Sequence, residues 1–211
     1  MPWMMKDVLC FDMGETLMHF ESKHCFYAEL ARLINKDERC IREYIKKFSI
    51  RYCTIDELYW DMKNVFQFQG IHVNEFYALF EYCKASFKMF ADVESTLKEL
   101  RRRDYKIVLL SNVFSFRCYS LEELGLKEYI AYQINSFECG YVKPEVGFFK
   151  YVEQKVNANA NNLVMVGDSL RSDIRGAERA GWRSILVDYS REKSSLPYRI
   201  SSLNELLYIF S

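Results

Sequence analysis

The sequence predicts an α/β fold, a doubly wound (Rossmann-like) parallel sheet core with an inserted α-helical bundle. Three short apolar runs, at 8–11, 107–110 and 163–166, have the continuous hydrophobicity of buried parallel strands. From residue 91 onward, strand-like runs alternate with helical segments, and this alternation is typical of a parallel sheet with helices on both faces. Residues 18–90 show helical periodicity and no convincing strand signal, so we predict that they form the inserted bundle.

The second half of the chain supplies most of the predicted sheet. In chain order we expect a helix at 93–102, a strand at 107–110, a helix at 116–124, a strand at 132–134, a helix at 146–156, a strand at 163–166, a helix at 174–180, a strand at 184–187 and a helix at 203–210. Gly125 and Gly181 follow two of these helices, at the position where helix ends favour glycine.

The insertion is predicted to contain four helices, at 25–34, 38–48, 55–68 and 74–90. The last has the clearest pattern, because its large apolar residues are spaced 4, 3, 4 and 3 apart and so share one helical face. These residues are Phe76, Phe80, Cys83, Phe87 and Phe90. We therefore predict two domains: residues 1–17 and 91–211 form the α/β core, and residues 18–90 form the helical unit.

Composition excludes several classes of protein. Half of the 211 residues are hydrophobic, which is enough for a substantial core, and Lys+Arg and Asp+Glu both number 29. A net charge of zero gives no electrostatic reason to expect nucleic acid or an anionic membrane as a partner. No apolar run approaches the ~18 residues of a membrane span. The seven cysteines are scattered without metal-ligand spacing, which favours reduced thiols and a cytoplasmic location.

Polar residues lie at the ends of three of the predicted strands. Asp12, Ser111 and Asp168 occupy these positions, and we expect them to converge because ligands bind at the carboxyl ends of parallel strands. Lys143 and Asp173 lie close to element boundaries and could join them. Three neighbouring carboxylates need a counter-charge, and Mg²⁺ prefers carboxylate, water and phosphate oxygens. A serine and a lysine suit phosphoryl oxygens, so the chemistry indicated is phosphoryl transfer with Asp12 as a carboxylate nucleophile.

In these residues the sequence resembles the haloacid dehalogenase superfamily of hydrolases. Four segments follow the order of that family's motifs: 12–17 (DMGETL), 109–112 (LLSN), 142–145 (VKPE) with 148–149 (FF), and 167–174 (GDSLRSDI) with the small residues that follow. The fourth segment is the most specific, and together the four span nearly the whole chain. The helical insertion is similar to the small α-helical cap that some members carry between the first and second motifs.

The resemblance implies a role for each matching residue. Asp12 would be the nucleophile and a Mg²⁺ ligand, and the backbone carbonyl of Gly14 would be another ligand. Asp168 would bind the metal directly, and Asp173 directly or through water. Ser111 and Lys143 would be catalytic residues that hold the phosphoryl oxygens, with help from Asn112. The expected substrate is a small phosphorylated molecule; oligomeric state is not predicted.

One position departs from the pattern of the family's phosphatases. Most of them carry a second Asp two residues after the nucleophile, which protonates the leaving group, and here that residue is Gly14. General acid–base catalysis contributes typically ~10²–10⁴-fold. Glu15 or His19 could replace the missing acid, or the substrate could carry a leaving group that departs without a proton.

Three alternative functions stay open at the level of sequence. A dehalogenase would use the same nucleophile on carbon without a metal, although Asp168 and Asp173 argue for one. A phosphonate hydrolase would need a Schiff-base lysine in the cap. The candidates for it are Lys23, Lys46, Lys47 and Lys63. A binding or regulatory protein on a decayed hydrolase scaffold would explain Gly14, but not the five intact polar residues.

Overall fold

A computed structural model describes residues 7–20, 26–190 and 198–211 of the chain. Within these residues six strands form one parallel sheet in the order β5-β4-β1-β6-β7-β8, and two more form an antiparallel pair. The strands are β1 (Val8–Asp12), β2 (Met18–Phe20), β3 (Phe87–Met89), β4 (Lys106–Ser111), β5 (Tyr132–Asn135), β6 (Leu163–Gly167), β7 (Arg183–Val187) and β8 (Arg199–Ile200).

The helices alternate with the strands of the main sheet, except for four that follow β1 as a group. They are α1 (Phe26–Ile34), α2 (Glu38–Ile45), α3 (Ile55–Phe66), α4 (Val73–Ala85), α5 (Val93–Arg102), α6 (Ser136–Cys139), α7 (Val146–Val156), α8 (Arg175–Arg179) and α9 (Leu206–Ile209). None of the helices in the described ranges is long and apolar enough to cross a membrane.

The main sheet is buried on both faces, as its continuous apolar strands predict. Leu9 and Phe11 of β1 pack with α5 and the C-terminal helix in one hydrophobic cluster. Val8 and Cys10 of the same strand pack with α7 and α8 in a second cluster. Because successive side chains of a strand point to opposite faces, one strand serves two cores. The predicted doubly wound α/β fold is confirmed.

Helices α1–α4 enclose a third hydrophobic cluster of their own. Its central residues include Phe76 and Phe80 of α4, which are 1% and 3% exposed. Thr54 caps α3 through a capping box with Glu57, in which each side chain accepts a hydrogen bond from the other's backbone N–H. Phe114, which follows β4, inserts into this cluster and ties the helical unit to the sheet.

The predicted helix at 74–90 is too long. The structure ends α4 at Ala85 and continues into β3, which pairs with β2 in an antiparallel ladder between Met18 and Met89. Phe87 and Phe90 consequently pack against the core of the main sheet and not with Phe76 and Phe80. The residues that enter and leave the helical insertion therefore form a two-stranded ribbon that the periodicity of the sequence concealed.

The predicted helix at 116–124 is wrong. This segment contains a short 3-10 turn, Ser115–Arg117, and a single turn around 121–125. Ser120 and Glu123 exchange side-chain-to-backbone hydrogen bonds, which begin that turn as they would begin a helix. Gly125 adopts a positive φ of 66° and ends the turn. The capping residues therefore begin a helix that stops after one turn.

The remaining elements were predicted within a few residues of their observed bounds. The helices at 93–102 and 146–156 are confirmed as α5 and α7, and the helix at 174–180 is a π-helical turn, Leu170–Ile174, followed by α8. The short strand β8 and helix α6 were not predicted. The predicted first residue of α1, Cys25, and the candidate lysine Lys23 lie outside the described residues.

Candidate active site

The carboxyl ends of three adjacent strands carry the polar residues that the sequence singled out. Strand β1 lies between β4 and β6, and Asp12 is in register with Leu110, one residue before Ser111. Asp168 directly follows the last residue of β6. The parallel arrangement therefore brings Asp12, Ser111 and Asp168 to one edge of the sheet, where a concave site is expected.

Lys143 is the positive charge at the centre of this edge. It is 3% exposed. Its Nζ lies 2.5 Å from Oδ1 of Asp12 and 2.8 Å from Oδ1 of Asp173. It also donates a 3.2 Å hydrogen bond to the carbonyl of Leu110. These two carboxylates hold the pKa of Lys143 above its usual value, against the opposing effect of burial, so the side chain is a cation in the site.

Asp173 reaches the site because the chain turns sharply after β6. Ser169 caps this turn by accepting a hydrogen bond from the backbone N–H of Ser172, and its own N–H donates to Oδ2 of Asp173 at 3.1 Å. Gly167 permits the close approach, because a Cβ there would lie 2.6 Å from Cγ of Asp173. Any side chain at position 167 would therefore displace the buried carboxylate.

Asp12, Asp168 and Asp173 form a cluster that fits a hard divalent cation. Their carboxylate oxygens lie within 4.8 Å of one another. Opposite ligands of an octahedral Mg²⁺ ion are about 4.2 Å apart for bonds of ~2.1 Å. Oδ1 of Asp173 is buried and, among the described residues, accepts no hydrogen bond of good geometry despite its ion pair with Lys143. A buried carboxylate oxygen beside two further carboxylates belongs to the donor set that Mg²⁺ prefers.

The surroundings of Asp12 disfavour its ionised form. Burial raises its pKa to about 7, with further increases from Asp173 and Asp168, while Lys143 lowers it. Its Oδ2 lies 3.5 Å from the hydroxyl of Thr16, a fully buried residue that sequence reasoning did not select. A bound cation would favour the ionised carboxylate, the form required of a nucleophile.

Asn112 contacts the backbone of Lys143 with both ends of its side-chain amide. Its Nδ2 donates to the carbonyl of Lys143, and its Oδ1 accepts from the N–H of Lys143, each at 2.9 Å. The side chain thus joins the end of β4 to the loop that carries the lysine. The sequence suggested Asn112 as a phosphate contact through its side chain or backbone, and in the structure the side chain has this second partner.

A cavity of about 250 Å³ opens above the acidic cluster. All the predicted site residues line it: Asp12, Gly14, Ser111, Asn112, Lys143, Asp168 and Asp173. Its outer wall is largely aromatic, with Phe26 and Tyr27 from α1, Phe87 from β3, and Phe114 and Tyr119 after β4, and Arg117 adds a cation. The sequence did not identify which aromatic residues form this wall, since they come from three separate segments and Phe87 was assigned to the wrong element.

Glu15 and His19, the two suggested substitutes for the missing acid, line a different cavity. That cavity lies beside Asp168 and Asp188 and does not include Asp12. Glu15 is exposed and has a left-handed backbone, with a φ of 54°. Neither side chain therefore lies where a leaving group bound above Asp12 would be.

Gly14 is compatible with a side chain. Its φ is not among the positive values found at other glycines of the chain. A Cβ at this position would meet the ring of Phe87 at 3.7 Å, an ordinary van der Waals distance. The structure therefore gives no steric reason for glycine at position 14.

A doubly wound sheet with acidic residues, a lysine and a serine at one strand edge is the construction of an α/β enzyme. The chain belongs to the haloacid dehalogenase-like hydrolases, because the model of that family matches residues 6–181. The ribulose-1,5-bisphosphate 5-phosphatase of Halopiger xanaduensis is 33% identical over 105 residues, which are 49% of this chain and 44% of the relative. The chain spans about half the length of the curated relatives that it matches.

Solved structures share the fold over the whole chain. The HAD phosphatase of Thermococcus onnurineus superposes with a TM-score of 0.66 at 23% identity, covering 98% of both chains. The 2-haloacid dehalogenase of Pseudomonas syringae pv. Tomato DC3000 superposes equally well, with a TM-score of 0.66 at 21% identity, covering 97% of this chain and 98% of the other. The fold alone consequently does not separate phosphorus chemistry from carbon chemistry.

Proposed function

We propose that this protein is a Mg²⁺-dependent phosphatase of small phosphorylated molecules, with Asp12 as the nucleophile. The observation that carries the proposal is the cluster of Asp12, Asp168 and Asp173, whose oxygens lie within 4.8 Å of one another beside the buried Lys143. In a metal-free reaction on carbon, two extra carboxylates next to the nucleophile would be unfavourable, since like charges oppose the ionisation of the nucleophilic carboxyl group. The 33% identical phosphatase supports the same choice.

The proposed reaction has two displacement steps at phosphorus. A carboxylate oxygen of Asp12 attacks the phosphorus atom, the bond from phosphorus to the ester oxygen breaks, and an aspartyl-phosphate forms. Water then attacks the same phosphorus atom, the bond to Asp12 breaks, and inorganic phosphate leaves. Both steps depend on positioning and charge stabilisation.

The other residues of the site hold the phosphoryl group in line with Asp12. Lys143 donates to the Oδ1 atom of Asp12 and orients the attacking carboxylate. We assign the hydroxyl of Ser111 and the backbone N–H of Asn112 to the phosphoryl oxygens. Asp168, Asp173 and the carbonyl of Gly14 would hold Mg²⁺ together with Asp12, and the bound ion would neutralise charge on the phosphoryl group.

We propose that residues 18–90 act as a cap over this site. Phe26 and Tyr27 of α1 line the cavity above Asp12, so the helical unit already forms part of its wall. Closure of such a cap excludes water from the reacting atoms and strengthens the electrostatic interactions there. Residues 1–17 and 91–211 would then be the catalytic core.

The test compares the native protein with Asp12→Asn, using p-nitrophenyl phosphate with Mg²⁺ and with a chelator. We expect turnover that needs Mg²⁺ and is lost in Asp12→Asn, while circular dichroism shows an unchanged fold. Halide release from 2-chloropropionate is measured in parallel as the signature of dehalogenation. Halide release without phosphate release, or equal background from both proteins with every substrate, would contradict the proposal.

A further inference from the structure

A second cavity adjoins the active-site cavity, on the side of helix α2. Its volume is about 240 Å³. Seven residues line both cavities: Tyr27, Asn112, Val113, Phe114, Lys143, Ser169 and Ser172. This second cavity, which we call the side chamber, therefore lies next to the position of a molecule bound at Asp12.

Among the charged residues that line the side chamber, cations outnumber carboxylates. Arg42 and Lys46 reach it from the α2 segment, and Arg171 reaches it from the turn after Asp168. Glu43 is the only carboxylate among its described lining residues. Lys143 also contributes to the wall, but its charge is matched by the carboxylates of Asp12 and Asp173.

The three cations, Arg42, Lys46 and Arg171, differ in the ion pairs and hydrogen bonds that they form within the protein. Arg42 pairs with Glu38 at 2.6 Å and lies 4.0 Å above the ring of Tyr27. Lys46 lies 3.5 Å from Glu145, at the start of α7. Arg171 is exposed, and within the described parts of the chain it forms no ion pair and no side-chain hydrogen bond. The guanidinium of Arg171 is thus the cation whose donors are available to a ligand.

The backbone of Arg171 is fixed relative to the acidic cluster. It lies between Asp168 and Asp173 in a turn closed by Ser169, which accepts from the N–H of Ser172 at 3.2 Å and from the N–H of Asp173 at 3.0 Å. A guanidinium offers a planar fork of donors that matches carboxylate and phosphate oxygens, and it does so best from a fixed backbone.

We propose that Arg171 binds a second anionic group of the substrate, with Arg42 and Lys46 adding positive potential across the side chamber. The inference rests on the proposed phosphatase function and specifies its substrate class: small phosphate esters that carry a carboxylate or a second phosphate at the far end. The two cavities together hold roughly sixteen water-sized volumes at ~30 Å³ each, which suits a short-chain metabolite better than a macromolecule.

The test uses three esters of equal chain length: butyl phosphate, the same ester ending in a carboxylate, and the same ester ending in a second phosphate. The readout is the ratio of kcat/KM for each ester with two anionic groups to kcat/KM for butyl phosphate. It is measured in the native protein, Arg171→Gln, Arg171→Lys and Arg39→Gln. Arg39 is an exposed arginine of α2 that lines neither cavity, so its variant controls for net charge.

We expect the native protein to favour at least one ester with two anionic groups about tenfold or more, and Arg171→Gln to lose most of that preference, because the substrate's second anionic group is left without a partner. Arg171→Lys should keep part of it, and Arg39→Gln all of it. A preference for both esters indicates a general oxyanion site, and a preference for the bisphosphate alone indicates a phosphate site. Equal ratios in the native protein and Arg171→Gln would overturn the inference while leaving the phosphatase function intact.

A binding measurement keeps the inference testable if no ester is turned over. Calorimetry with butane bisphosphonate and with butyl phosphonate, in the presence of Mg²⁺, reports the same preference without chemistry. Tighter binding of the bisphosphonate that is lost in Arg171→Gln would support the side chamber even if the phosphatase proposal failed. Equal affinity for the two phosphonates would refute it.

Discussion

The side-chain amide of Asn112 and the backbone of Lys143 form two hydrogen bonds in opposite directions, each 2.9 Å long. This contact joins strand β4 to the loop that delivers the lysine to Asp12. Lys143 lies 2.5 Å from Asp12, so the amide holds in position the cation that we propose orients the nucleophile. Asn112 is a positioning residue in this respect, in addition to any contact that its backbone makes with phosphate.

Replacement of Asn112 by alanine should lower kcat by about 10- to 100-fold. Each lost hydrogen bond contributes about 1 kcal/mol net, and a misplaced lysine costs more in the transition state than in the ground state. Steady-state kinetics with p-nitrophenyl phosphate measure the effect, with Asn157→Ala as the control, since Asn157 ends α7 and lines neither cavity. A change in KM alone would show that Asn112 serves binding and not the position of Lys143.

Mg²⁺ binding should depend on pH through Asp12. Burial raises the pKa of Asp12 to about 7, so below pH 7 the incoming cation must displace a proton. Affinity should therefore rise about tenfold per pH unit below pH 7 and level off above it. Calorimetry in buffers of different ionisation enthalpy counts the released proton. Binding with no proton released at pH 6 would contradict the raised pKa.

The same shift has a consequence for the stability of the metal-free protein. The folded state keeps a proton on Asp12 that the unfolded state loses above its ordinary pKa of 3.8. The higher pKa of Asp12 in the folded state affects the free energy of unfolding. Its stabilising contribution is fully present below pH 3.8 and is lost as the pH rises to about 7. Other carboxylates titrate over the same range, so the measurement compares the free energy of unfolding of the native protein with that of Asp12→Asn. As the pH rises, the native protein should lose stability relative to Asp12→Asn.

Gly167→Ala should weaken Mg²⁺ binding by about 10- to 100-fold, the usual cost of disturbing the support of a metal ligand. The new Cβ would lie 2.6 Å from Asp173, so the carboxylate must move away from Lys143 and from the other two aspartates. Gly14→Ala is the matched control, because its Cβ meets only Phe87 at 3.7 Å and the backbone carbonyl is retained. Equal Mg²⁺ affinity in the two variants would remove Asp173 from the metal site.

The sequence predicted the acidic edge of the site more fully than its outer wall, and the reason is physical. Asp12, Ser111 and Asp168 follow apolar strands of one parallel sheet, so the chemistry of the strands determines where the three residues meet. The wall depends on contacts between segments that are far apart in sequence. Phe87 fits a helical face by its spacing to Phe80, and only pairing with β2 places it above Gly14.

Two failures of prediction have a common origin in short local signals. Residues 120–125 carry a helix-starting pair and a helix-ending glycine only five residues apart, and the chain forms a single turn. The side chamber likewise has no motif, because Arg42 and Arg171 belong to α2 and to the turn after β6, two separate segments that line the same cavity. Signals that span a few residues define ends of elements, while cavities arise from the tertiary arrangement of those elements.

Gly14→Asp should give this enzyme a general acid. The backbone at Gly14 has no positive φ, and a Cβ there meets only the ring of Phe87 at 3.7 Å, so a carboxyl group can be accommodated at the edge of the cavity that contains Asp12. A positioned acid contributes typically ~10²–10⁴-fold, and its benefit grows as the leaving group becomes more basic. Turnover of alkyl phosphates should therefore rise in Gly14→Asp, while turnover of p-nitrophenyl phosphate changes little.

The measurement is the dependence of kcat/KM on leaving-group basicity, over a series from p-nitrophenyl phosphate to ethyl phosphate. The native protein should show a steep dependence, because no described carboxylic acid or histidine lines the cavity apart from the three clustered aspartates. Gly14→Asp should make this dependence shallower. Gly14→Asn should leave it unchanged, because an asparagine side chain has the size of aspartate but cannot donate a carboxylic proton. A shallow dependence in the native protein would mean that another group already protonates the leaving oxygen, and Gly14→Asp would then add nothing.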